Sequence, residues 1–215
     1  MSPPAPKLAP RTASSGTASS GTARGRERRE RLLNATAELV AERGFHSVGI
    51  ADIGAAAGVS GAAIYRHFEN KDELLVALFD RVVDELLIGA RALVRDAVSP
   101  EAALDDLIRA HVAFALRDRA IIAVYGQEAN NLPVQDRRRL RRNQRLYAQL
   151  WEDVVAALRP ELSDHARRAT VHAAFGALNS VADFDARLAD GELGELLTRF
   201  ARAGILPVSR AAGRG

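Results

Sequence analysis

The residues that could do chemistry begin with a basic arm. Residues 1–31 hold Lys7, Arg11, Arg24, Arg26, Arg28, Arg29 and Arg31 against two Glu. That is a local charge of +5 in a chain whose total is +3, leaving −2 for the rest. A cationic end on a nearly neutral body suits a polyanion, nucleic acid before a membrane surface, though a solubilising tail would carry the same charge. The common catalytic arrangements do not accompany it. His46, His67, His111, His165 and His172 lack the His-x-x-x-His or Glu-x-x-His spacing of metal ligands, and there is no glycine-rich phosphate loop or Gly-x-Ser-x-Gly elbow. With no Cys, thiolate zinc sites and cysteine catalysis are excluded. No enzyme activity, no metal and no cofactor is expected.

The second group lies between Ile50 and Phe68. Ile50-Ala51-Asp52-Ile53-Gly54-Ala55-Ala56-Ala57 is followed by Gly58-Val59-Ser60 and then by Gly61-Ala62-Ala63-Ile64-Tyr65-Arg66-His67-Phe68. Two short helices joined by a three-residue turn that opens on Gly make a helix-turn-helix. Gly58 can take the left-handed conformation that ends the first helix, and Ser60 can cap the second. Ile53, Ala57, Val59, Ile64 and Phe68 supply the apolar contacts that set the crossing angle. A generic helical hairpin would share this pattern.

Taken with Gly44-Phe45 before it and Asn70-Lys71-Asp72-Glu73-Leu74 after it, the stretch resembles the N-terminal domain of tetracycline-repressor (TetR) family regulators. The resemblance covers about 60 residues and implies a homodimeric, all-helical, DNA-binding protein released from a palindromic operator by a small molecule. It usually implies repression; an activator of the same fold, or a helical ligand-binding protein without DNA function, are the alternatives. Carried over by position, the recognition helix is 61–67, Tyr65 and His67 match phosphate contacts, and Lys71 matches a Lys that clamps the DNA backbone. Arg66 and residues 61–63 match positions that face base edges. Gly61, Ala62 and Ala63 can offer only methyl contact to thymine, which leaves the two-pronged Arg66 to read a guanine. Val48 stands where the family often has a Thr that caps the first helix; Gly49 is the substitute cap, with Asp52 favouring the positive helix end. Ser47 and Ser60 complete the expected DNA contacts, with Arg24, Arg26 and Arg28 following the minor groove or the backbone.

In the remainder of the chain the informative residues are polar ones on apolar helix faces. His111 shares a stripe with Leu104, Ile108 and Ala115; Glu128 shares one with Ile121 and Tyr125; Asn143 falls on the line Leu140, Tyr147, Trp151, Val154 and Leu158. Each suits a satisfied core residue. Together, His111, Tyr125, Glu128, Asn143, Tyr147 and Trp151 form the candidate lining of an effector cavity for an apolar or acyl-type molecule. The run Arg137, Arg138, Arg139, Arg141, Arg142 and Arg145 reads as a solvated face, or as a gate that attracts an acidic effector such as an acyl-coenzyme A. His172, Gly176, Asn179 and Asp183 make a second stripe beside Val171, Phe175, Leu178 and Ala182. Family resemblance places the dimer bundle on the last two helices, so this stripe is the expected dimer interface.

The elements that must hold these residues are all helices. Ala, Leu, Arg and Glu dominate, and there is no Asn-Gly or Asp-Gly hairpin signal. Breakers and caps predict about nine helices, near 26–43, 50–57, 61–68, 71–98, 101–117, 119–130, 136–158, 164–188 and 192–203. The expected organisation is a disordered basic arm over 1–25, a DNA-binding domain over 26–86 with its helix-turn-helix at 49–68, an effector-binding and dimerisation domain over 87–206, and a flexible tail over 207–215. No apolar run nears the ~18 residues of a membrane span, and no secretory core opens the chain, so a cytoplasmic protein is expected.

Overall fold

The computed structural model describes residues 17–206, and all of its regular structure is helical. Among the described residues there are nine α-helices: α1 Thr17–Arg43, α2 Ile50–Ala56, α3 Gly61–Ile64, α4 Lys71–Asp96, α5 Pro100–Arg117, α6 Arg119–Glu128, α7 Val134–Leu158, α8 Asp164–Asn179 and α9 Asp190–Ile205. Capping residues set several starts. The Asn70 side chain accepts from the Glu73 N–H at 2.8 Å to open α4, and Ser99 caps α5 ahead of Pro100 in its first turn. Ser163 does the same for α8. Among the described residues no helix is long and apolar enough to cross a membrane.

Three sequence expectations change. The segment 1–25, expected to be disordered, already contributes to α1 from Thr17; residues 1–16 and the tail 207–215 lie outside the described residues. The expected helix over 61–68 is α-helical only to Ile64, after which His67 and Phe68 both bond back to the Ile64 carbonyl, tightening the last turn. The helix expected to reach 188 stops at Asn179, passes through a 3₁₀ turn at Ser180–Ala182 and enters a loop where Arg187 has φ 52°. There the Asp185 carboxylate accepts from the Arg187 N–H at 3.0 Å, a local side-chain bond that competes with helix continuation.

Two apolar cores follow from the helical stripes. The first gathers Leu32, Leu33, Phe45, Ile53, Ile64, Phe68, Leu74 and Leu78 from α1–α4, and also takes Ile121 and Val124 from α6. The second is built on α5, α7, α8 and α9 around Leu104, Ile108, Trp151, Val155, Val171 and Leu178. Helix α4 enters both, so the expected boundary at 86/87 falls inside a continuous helix. Two polar struts one turn apart tie α7 along α4: Arg139 to Asp80 at 2.6 Å, and Asn143 to Asp84 at 3.0 Å.

Candidate DNA-binding face and effector cavity

The helix-turn-helix is set by close backbone approach. Gly58 turns the chain with φ +66°, as its place in the turn predicts, and the Val59 N–H donates to the Gly54 carbonyl at 2.9 Å. Gly54 is buried, and a Cβ there would lie 2.9 Å from the Val59 carbonyl oxygen and 3.3 Å from Ile64. Residue type alone does not announce this, because the constraint is the approach of the turn carbonyl and of an α3 side chain after folding. Gly54→Ala is expected to cost about 1–3 kcal/mol of stability by forcing α2 and α3 apart; a denaturation midpoint equal to wild type would show that the turn relaxes freely. Gly49 is the N-cap of α2, and its N–H donates to the Asp52 carboxylate at 2.7 Å. Ser60 occupies the N-cap position of α3 without a side-chain capping bond, so its hydroxyl is left for other partners.

The expected DNA contacts divide in the structure. Ser47, Ser60, Ala62, Tyr65 and Arg66 are exposed, and Gly61 and His67 are half-buried. Ala63 is buried in the motif and is withdrawn as a base contact, because its methyl group faces the protein interior. Arg26 and Arg28 sit on α1 rather than on an extended arm; the Arg24 side chain lies outside the described residues. Lys71 is engaged within the protein: its Nζ donates to the Phe45 carbonyl and lies 4.0 Å from the centre of the Phe45 ring. Burial lowers the Lys71 pKa, with Asp72 and Glu128 opposing that shift. One bond to Phe45 still leaves an ammonium two donors.

A cavity of about 390 Å³, lined from α4 to α8, lies where the two cores meet. Phe79, Ile121 and Tyr125 line it from the first core, Leu86, Tyr147 and Phe175 from the second, and the buried polar His111 joins them. Three of the six expected lining residues are therefore present: His111, Tyr125 and Tyr147. The other three are corrected. Glu128 is turned toward the α1–α2 turn, where His46 Nε2 donates to it at 2.7 Å. Asn143 is the α4–α7 strut, and Trp151 is fully buried in the second core.

Two of the residues expected at a dimer interface, His172 and Asn179, line the cavity, and His172, Gly176 and Asp183 are exposed. His111 Nε2 donates to Asn179 Oδ1 at 3.0 Å, and His111 Nδ1 accepts from the Tyr147 hydroxyl at 2.9 Å. Burial pushes the His111 pKa down to about 4, partly offset by the Asn179 bond, so the deep wall is polar but uncharged at neutral pH. Burial also pushes the Tyr147 hydroxyl up, which keeps it a donor.

Similarity to known proteins follows the same division. A family model described as bacterial regulatory proteins, tetR family, matches residues 32–78, and one described as tetracyclin repressor-like, C-terminal domain, matches 97–184. The HTH-type transcriptional activator FasR of Mycolicibacterium smegmatis is 37% identical over 92 residues, 43% of this chain and 42% of that protein. The HTH-type transcriptional repressor KstR2 of Mycobacterium tuberculosis is 29% identical over 129 residues, 60% of this chain and 64% of that protein. The chain thus aligns with about half the length of these curated relatives. A TetR/AcrR-family transcriptional regulator from Thermobifida fusca superposes with a TM-score of 0.68 at 26% identity, covering 83% of this chain and 98% of that one. With both halves of the fold matched in order, the chain belongs to the tetR family of bacterial regulatory proteins.

Proposed function

We propose that this protein is a sequence-specific DNA-binding transcriptional regulator, a homodimeric repressor whose hold on a palindromic operator weakens when a small apolar or acyl-type molecule enters the cavity. The observation that carries the reading is the α2–turn–α3 unit, locked at Gly54 and presenting Ala62, Tyr65 and Arg66 outward. KstR2, aligned over 60% of the chain, is described as a repressor. Exposed Phe184 and Leu188 between α8 and α9, and Leu196 and Phe200 on α9, give a second subunit an apolar surface to cover. The cavity suits an effector because a ligand wedged between two cores favours one relative placement of them, and only such a preference can alter DNA affinity.

Arg66 decides the test. In mobility-shift titrations with the DNA upstream of its own gene, Arg66→Ala is expected to lose about 1–3 kcal/mol of discrimination at one base pair per half-site while keeping its non-specific affinity. Equal losses on specific and random DNA would assign Arg66 to the phosphates. No binding by the wild-type protein to any duplex at low salt would remove the regulator reading itself.

A further inference from the structure

The cavity has a charged mouth. Arg141 and Arg145, one turn apart on α7, both line it and are both exposed. His172 on α8 is the other exposed lining residue with an ionisable side chain, and no Asp or Glu is among the lining residues. Among the described residues neither arginine forms a hydrogen bond or an ion pair. Arg138 and Arg142 likewise form neither but do not line the cavity, whereas Arg139 is held by Asp80 and Asp136, and Arg137 donates to the Asn130 carbonyl at 2.7 Å. Like charges one helical turn apart repel, so an unpaired pair beside a cavity favours whatever anion joins it. Past the mouth, the wall is apolar along Phe79, Val82, Leu86 and Phe114.

Resting on the effector reading above, we propose that the cavity takes an anionic amphiphile, with its apolar chain between the two cores and its carboxylate or phosphate held by Arg141 and Arg145. A guanidinium pair is suited to both anions, since its paired N–H groups match two oxygens at once. The two sources of that charge are the carboxylate of a free fatty acid and the phosphates of a coenzyme A thioester lying outside the mouth.

Trp151, the single Trp of the chain, has its ring centre 5.0 Å from that of the lining residue Phe175, so its fluorescence reports occupancy. The full-length protein would be titrated with dodecanoate, dodecanoyl-coenzyme A and 1-dodecanol, alongside the double variant Arg141→Gln/Arg145→Gln. Charge-assisted hydrogen bonds predict that at least one anionic probe binds wild type about 10- to 100-fold more tightly than the alcohol, and that the double variant erases this gap while still binding the alcohol. Arginine-dependent binding of dodecanoate supports the carboxylate; arginine dependence of the thioester alone supports the phosphates. Equal affinity for all three probes, unchanged in the variant, overturns the anionic head group and leaves the apolar cavity standing. No binding by any probe overturns the effector cavity for such amphiphiles and the head-group assignment with it.

Discussion

Acidification from pH 6.5 to 4 is expected to remove on the order of 3 kcal/mol of folding stability through His111 alone. Its folded pKa of about 4 lies below the ordinary 6.5, so between those values the unfolded chain binds the extra proton and the native state does not. The stabilisation is therefore complete above pH 6.5 and is lost as the pH falls toward 4. The cause is structural: a second proton at Nδ1 would place a charge on a buried side chain and displace the bond from the Tyr147 hydroxyl. Urea unfolding of wild type and His111→Gln at half-unit steps over this range checks it. The variant starts from a lower stability but should show a shallower slope, and parallel curves would place the titrating group elsewhere.

Trp151→Ala is expected to cost about 3–5 kcal/mol, a large share of the stability of a domain this size. The indole is fully buried, packed edge-on against Phe175 and His111, and removing it leaves a void that the surrounding helices cannot close. Trp151→Phe should cost far less. It keeps a ring at the same place and discards an Nε1–H that has no hydrogen-bond partner among the described residues. Thermal melts of the two variants make the comparison. A mild Trp151→Ala would mean that the residue serves ligand more than core, as its place on an apolar stripe first suggested.

The contrast between Trp151, Asn143 and His111 shows how far a sequence can be read. All three sit on apolar stripes, and the period of a helix identifies that shared property faithfully. It does not identify the neighbour. His111 meets Tyr147 and Asn179 at the cavity wall, Asn143 meets Asp84 across a helix pair, and Trp151 is enclosed in the second apolar core. These outcomes depend on which helix lies opposite, a long-range fact. The turn at Gly58 is legible because its physics is local, spanning two to four residues. Arg141 and Arg145 are indistinguishable in sequence from the other arginines of α7, since only the fold turns these two toward the cavity and Arg139 toward Asp80 and Asp136. Gly54 carries no local mark of its role, since the Val59 carbonyl presses against it only once the turn has folded.

One stripe of α4 runs without interruption through Val76, Phe79, Val83, Leu87 and Ala90, starting in the first core and finishing in the second. This continuity limits how the gene can change length. A residue inserted between Val83 and Leu87 would rotate everything after it by about 100° and advance it by about 1.5 Å. Either the first core or the second would then lose its face, and the Asp80 and Asp84 struts to α7 would no longer line up with Arg139 and Asn143. Insertions and deletions among related chains should therefore accumulate in the connecting loops, such as the stretch from Asp183 to Ala189, while the span from Val76 to Ala90 keeps its residue count.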